Sequence, residues 1–228
     1  SYTLFDFTAQ DRADSDLEPL LHQLAGEGFS GVNITYPFKQ AVIPLLDELA
    51  ESADLVEAVN TVEMRNGRLI GHNTDMTGFR DSLAEGLPER PLGRVLQLGA
   101  GGAGTAVATA LLSLGTGILE ITDLDLARAQ ALAARLCTRF GEGRVIAVDS
   151  AALDTARIDG IVNSTPMGMA AYPAPAIDPT LILAHHWVAD IVYFPLETTL
   201  LRIARERGCK VLNGSGMAVG QAALAFEI

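Results

Sequence analysis

The chain has 228 residues, enough for one large domain or two modest ones, and its 49% hydrophobic and 19% charged residues describe an ordinary globular protein with ample core. Acidic residues outnumber basic ones 28 to 16, for a formal net charge of −12. Such a surface repels phosphate backbones, which excludes nucleic acid as an expected partner but leaves open a small anionic substrate held by local donors.

Taken in chain order, Ser1–Gln10 lacks a basic start and a continuous apolar run, so no signal peptide is expected there, and Tyr2–Phe7 reads as a strand. Ser15, with Glu18 three residues later, predicts a capping box for an amphipathic helix carrying Leu17, Leu20, Leu21 and Leu24. Gly31–Ile34 reads as a short buried strand ending in a polar loop. Thr61–Arg65 and Arg68–His72 flank Asn66-Gly67, a strong two-residue hairpin signal, so this region predicts a mixed sheet. The segment Leu87–Gly93, with its prolines and glycines, is the expected domain boundary. Beyond it the alternation becomes regular: strands at 94–98, 117–122, 144–148, 160–163, 187–192 and 210–213, and helices at 102–114, 126–140 and 197–207. That is the pattern of a parallel, doubly wound sheet. Residues 95–119 carry no charge and could span a bilayer by length, but their glycines, threonines and serines divide them into strand, turn and helix, so no membrane span is expected. Residues 171–185 predict a surface loop. Cys137 and Cys209 fall in helices or helix ends without CxxC spacing, as packed, reduced thiols of a cytoplasmic protein would.

Two groups of residues carry chemistry. Gly99, Gly101 and Gly104 follow an apolar strand and open a helix, so the loop Gly99, Ala100, Gly101, Gly102, Ala103 suits close approach of a pyrophosphate to bare backbone. The next strand ends at Asp123, placed to accept from ribose hydroxyls, whereas Asp125 reads as the cap of the following helix. A carboxylate at 123 repels a 2′-phosphate and Leu124 supplies no cation for one, which predicts NAD as cofactor. The second group is Lys39 after Thr35-Tyr36-Pro37, Asn60, and Asp75 in Asn73-Thr74-Asp75, polar residues at strand ends ahead of the nucleotide fold. Singly, Lys39 reads as a solvated charge, Asn60 as a turn residue and Asp75 as a helix cap. Together, beside a nucleotide site, they suggest hydride transfer to or from a polyol. His185-His186, adjacent on a strand, should point apart, and no metal is expected.

The segments NITYPFKQ (33–40), AVNT (58–61), GHNTD (71–75), GAGGAG (99–104), NSTPMGM (163–169), DIVYFPLET (190–198) and GSGMAVGQAALAF (214–226) resemble, in order and spacing, the shikimate dehydrogenase family, and within it the NAD-dependent quinate/shikimate dehydrogenases. The resemblance implies hydride transfer at C3 of quinate or shikimate, with Lys39 and Asp75 as the catalytic pair. Alcohol oxidation must also remove a proton. A free lysine, with a pKa of about 10.4, is a poor base. The reading therefore has Lys39 relay the proton and stabilise the developing alkoxide, while Asp75 orients Lys39 and the substrate hydroxyls.

By the same resemblance Thr35, Asn60, Tyr193 and Gln221 bind the substrate. Thr165 and Met167 match the loop flanking the cofactor, and Gly214 and Met217 the segment beside the nicotinamide. Arg128 reads either as an adenosine-side contact or as a solvated helix residue. Tyr193 serves equally as an aromatic plug, and Met217 as plain core. NADP-using members carry an Asn-Arg-Thr-like run where this chain has Asp123-Leu124-Asp125. Members also open with a Ser-x-Ser or Ser-x-Thr motif that binds the substrate carboxylate. None precedes Asp6, and the chain stops at Ile228, partway through what should be the final helix.

The expected fold is two α/β domains meeting at a cleft. One is a mixed-sheet substrate domain (1–87 with the C-terminal helix 217–228), the other a Rossmann-type, doubly wound NAD-binding domain (88–216). The alternatives are a dehydrogenase of an aminated or otherwise modified cyclohexane acid and a non-catalytic NAD- or quinate-binding sensor. The sequence leaves a homodimer open.

Overall fold

A computed structural model describes residues 2–228, which divide into two compact units, one ending at His72 and the other Asn73–Ile228. In the first unit the chain runs through α1 (Leu17–Gly26), β1 (Gly31–Asn33), β2 (Glu48–Leu49), α2 (Glu51–Val56), β3 (Thr61–Arg65) and β4 (Arg68–His72). The strands form a mixed sheet in the order β1-β3-β4-β2, antiparallel except where β2 runs parallel to β4. The hairpin turns on Asn66 (φ 54°) and Gly67 (φ 74°), the two left-handed residues that a tight turn between twisted strands requires. Leu17 and Leu21 of α1 share one buried cluster with Val42, Val59, Val62 and Leu69. Fully burying one such side chain is worth roughly 1.5–3 kcal/mol.

Two expectations at the start of the chain are corrected. Tyr2–Phe7 is not a strand. The Asp6 carboxylate accepts from the Ala9 amide and bends the chain into a turn, while Phe5 and Phe7 pack edge-on or tilted against Phe29 and Phe38. Nor do Ser15 and Glu18 cap α1. A 3-10 turn at Asp14–Asp16 precedes the helix, and Asp16 reaches back to the Ala13 amide at 2.9 Å.

The second unit contains α3 (Asp75–Gly86), β5 (Arg94–Leu98), α4 (Gly102–Ser113), β6 (Ile118–Thr122), α5 (Leu126–Phe140), β7 (Val145–Ala147), β8 (Gly160–Asn163), β9 (Trp187–Asp190), α6 (Thr199–Glu206), β10 (Lys210–Leu212) and α7 (Ser215–Glu227). Its six strands are all parallel, in the order β10-β9-β8-β5-β6-β7. Strand order therefore reverses between β5 and β8, and in such sheets the ligand crevice lies at the carboxyl ends of those two strands. Leu96, Leu98, Ile161 and Val188 form the core with Leu200 and Leu201 of α6. Among the described residues no helix is long and apolar enough to cross a membrane.

Helices α3 and α7 pack closely because glycines line their contact. A Cβ on Gly78 would meet the Gln221 amide nitrogen and the Met217 carbonyl oxygen, each at 2.9 Å, and one on Gly216 would collide with the Ser82 hydroxyl. Gly220 lies directly against the Gly78 backbone.

Candidate active site

At the reversal point the glycine loop is shaped by missing side chains and fixed by buried ones. Gly99 has φ of 101°, and a Cβ there would sit 2.9 Å from the Thr165 methyl. One on Gly104 would sit 2.5 Å from the Gly99 carbonyl oxygen. Gln97 on β5, wholly buried, donates its amide to the carbonyls of Gly99 and Gly104 at 2.9 and 2.8 Å, and the Ser164 hydroxyl donates to the Leu98 carbonyl at 2.7 Å. Helix α4 starts with no side-chain cap, so its first-turn N–H groups at Gly102 and Ala103 suit an anionic ligand.

The residues around this loop meet the expectations unevenly. Asp123 lies where β6 ends, but its carboxylate already accepts from the Ala100 amide at 2.7 Å and from the Asp125 amide at 3.0 Å. It therefore braces the loop as well as facing solvent in part, and the Ala100 N–H is engaged by it rather than left for a phosphate. Leu124 is fully exposed. Asp125 caps α5 through the Ala127 amide, as the sequence implied. Arg128 is exposed, with its guanidinium 3.4 Å from where a Gly101 Cβ would stand, which puts a cation at the mouth of the loop. This cradle fits a dinucleotide pyrophosphate.

Beside it a second loop follows β8. Asn163 is wholly buried. Its carbonyl oxygen accepts from the Thr165 amide (3.0 Å) and hydroxyl (2.6 Å), and its amide donates to the Met167 carbonyl and to Asp190, each at 2.9 Å. Thr165 and Met167 are thus held as one turn. Asp190 ends β9 by accepting from the Val192 amide at 3.0 Å, which is why that strand stops short of 192. Burial pushes its carboxyl above the usual range, against the opposing pull of its hydrogen bonds from Thr198, Val192 and Asn163. Tyr193, just beyond, is 62% exposed. Gly214 opens α7 so close to the Ile191 carbonyl that no Cβ fits, and Met217 is buried one turn on.

In α3, Asp75 is the first helical residue and not its cap, because the Asn73 side chain accepts from the Met76 amide at 3.2 Å. Asp75 is nonetheless buried, and the Thr74 hydroxyl beside it donates to the Gln221 carbonyl of α7 at 2.9 Å. The glycine-lined helix contact thus puts the Asp75 turn and Gln221 side by side.

In the first unit the backbone does the positioning. The Ile34 amide donates to the Asn60 carbonyl (2.7 Å), the Val59 amide to the Lys39 carbonyl (2.7 Å), and the Asn60 amide to the His72 carbonyl (3.0 Å). These bonds draw Thr35, Lys39 and Asn60 into one loop cluster. The Asn60 side chain is buried and accepts from the Thr61 hydroxyl, Lys39 is partly buried, and Thr35 is exposed.

His185 and His186 depart from expectation. They lie in the turn before β9, not in a strand, with ring centroids 4.4 Å apart. His186 accepts from the Leu183 amide and meets the Thr155 carbonyl at 2.9 Å, so it is a structural, uncharged imidazole, its pKa lowered first of all by burial. The positioning roles of Gln97, Asn163, Asp190 and Thr198 had no local signal in the sequence.

Comparison with known proteins meets this geometry. Residues 1–62 match the model of the shikimate dehydrogenase substrate binding domain. A quinate/shikimate dehydrogenase (NAD(+)) of Corynebacterium efficiens is 48% identical over 225 residues, covering 97% of this chain and 79% of the relative. The chain belongs to the shikimate dehydrogenase family. It is accordingly an oxidoreductase of the quinate/shikimate dehydrogenase class, built around a nicotinamide dinucleotide site. Another family member, a shikimate dehydrogenase (NADP(+)) of Arthrobacter, is 52% identical over 92% of this chain and 72% of its own length. Among solved structures, the quinate dehydrogenase of Corynebacterium glutamicum in complex with NAD superimposes with a TM-score of 0.86 at 45% identity, covering 97% of this chain and 84% of that one.

Proposed function

We propose that this protein oxidises the C3 hydroxyl of quinate or shikimate to the 3-dehydro acid, and runs the reverse reduction, with NAD as its cofactor. Lys39 relays the hydroxyl proton and stabilises the alkoxide, and Asp75 orients it. Thr35, Asn60, Tyr193 and Gln221 bind ring hydroxyls. Gly99, Ala100, Gly101, Gly102 and Ala103 face the pyrophosphate, with Ala100 acting through its bond to Asp123. Arg128 lies on the adenosine side. Thr165, Met167, Gly214 and Met217 lie along the nicotinamide half, and the bound nicotinamide accepts the hydride. Residues 1–87 with 217–228 then form the substrate-binding part, and 88–216 the dinucleotide-binding part, of a cytoplasmic enzyme.

The observation that carries the cofactor choice is Asp123. It sits at the end of β6 beside a fully exposed Leu124, so a carboxylate stands where a 2′-phosphate would need a cation. The test is the appearance of NADH or NADPH with quinate and shikimate supplied separately. Turnover with NAD at a kcat/KM well above that with NADP is expected, and comparable values for the two cofactors would sink the assignment.

A further inference from the structure

The Asp190 carboxylate is unusual chemistry for this place in a sheet. It is 2% exposed, and the partners on its two oxygens are all neutral: the Asn163 amide and Val192 amide on Oδ1, and the Thr198 hydroxyl at 2.7 Å on Oδ2. Burying a carboxylate without a cation is costly, and an apolar pair of the same shape would serve stability better. What this arrangement supplies is connection. Through Asn163 the carboxylate reaches the Thr165–Met167 turn, through Val192 the start of the 191–197 loop, and through Thr198 the end of that loop and the cap of α6, where the same hydroxyl accepts from the Leu201 amide. Gly168 lies against both partners: a Cβ there would stand 3.1 Å from Thr198 and 3.6 Å from Asp190 Oδ2.

We propose that Asp190 is a positioning residue for hydride transfer, whose hydrogen bonds hold the 164–168 and 191–197 loops in one mutual arrangement along the nicotinamide half of the cofactor site. The proposal rests on the reading above that Thr165 and Met167 flank the cofactor. The glycine loop has holds of its own in Gln97 and Asp123, beside the Ser164 hydroxyl at the start of the 164–168 loop, so loosening the Asp190 bonds disturbs the reacting end of the cofactor more than its adenosine end.

The variants are Thr198→Val, which removes the hydroxyl at nearly constant volume, Thr198→Ser, which restores it, and Asp190→Asn, which turns one acceptor into a donor while leaving the α6 cap in place. Two quantities are read: kcat with NAD and whichever acid the wild type turns over, and the Kd of ADP-ribose, which lacks the nicotinamide. Misplacing reacting groups by about 1 Å can cost up to about a hundredfold in rate. Thr198→Val is therefore expected to lower kcat about tenfold with the ADP-ribose Kd changed less than twofold. Thr198→Ser should recover most of the rate, and Asp190→Asn should lose rate in the same selective way. Unchanged kcat in folded Thr198→Val or Asp190→Asn, parallel loss of ADP-ribose affinity, or no recovery in Thr198→Ser overturns the proposal. Should Thr198→Val fail to fold, Asp190→Asn alone decides it. A wild type that turns over neither acid refutes the substrate assignment proposed above instead. The positioning role is then read from NADH binding, which must weaken relative to ADP-ribose in the variants for it to survive.

Discussion

The glycine loop at 99–104 and the polar loops at 33–41 and 58–61 are built by opposite rules. In the first the working surface is backbone, and side chains hold it: Gln97, Ser164 and Asp123 are spent on fixing carbonyls and an amide. In the second the groups proposed to work are side chains, Thr35, Lys39 and Asn60, and backbone bonds to Asn60, Lys39 and His72 hold them. Whichever part of the chain touches the ligand, the other part is committed to the scaffold. A substitution in the two regions should therefore fail in different ways, one losing chemistry with structure intact and the other losing structure and cofactor together.

The sharpest separation is Lys39→Ala. It removes the group proposed to relay the proton but none of the backbone bonds around it, so kcat should fall by about 10²–10⁴ while the melting temperature and NADH affinity stay close to wild type. Retention of most of kcat in steady-state assays would break the comparison at its strongest point. Gly104→Ala should do the reverse. Its Cβ would press on the Gly99 carbonyl at 2.5 Å, so the loop must shift, costing about 1–3 kcal/mol in denaturant unfolding together with most of the NADH affinity. Gln97→Leu removes the side-chain donor of the Gly104 carbonyl and leaves the Gly99 carbonyl only the Ser164 hydroxyl at 3.1 Å, for about 1–3 kcal/mol of stability and a smaller loss of NADH affinity by fluorescence titration.

The mildest effect concerns neither loop. His186 titrates below its ordinary value of 6.5 because burial disfavours the imidazolium, so the unfolded chain takes up the proton first. The stability it supports is present above pH about 6.5 and is lost as the pH falls through the lowered value. The melting temperature should drop more steeply below pH 6.5 in the wild type than in His186→Gln, as calorimetry across that range would show.

Features set by neighbours in sequence were legible in the chain. Asn66-Gly67 fixed the hairpin through its own backbone angles, the strand–glycine–helix run fixed the dinucleotide cradle, and Asp125 capped α5 as its position implied. Features set by distant partners were not. Asn163 and Asp190 are 27 residues apart and meet only because β8 and β9 pair in register, so neither local pattern shows the network. Tyr2–Phe7 has apolar spacing suited to a strand, yet its aromatics find Phe29 and Phe38, and the Asp6 turn prevails over pairing. Asp123 was legible as an acid at the end of β6 but not as the partner of Ala100, because a ribose ligand and a loop brace call for the same residue.

The seam of Gly78, Gly216 and Gly220 leaves no room for α3 and α7 to slide past each other, so the turn bearing Asp75 and the residue Gln221 are machined as one part. For anyone recombining this chain with its relatives, the two helices are a single cassette despite the distance between them in sequence. A larger residue at Gly216 or Gly220 would set a side chain into a glycine-sized gap, whereas transplanting both helices together would carry their fit across intact.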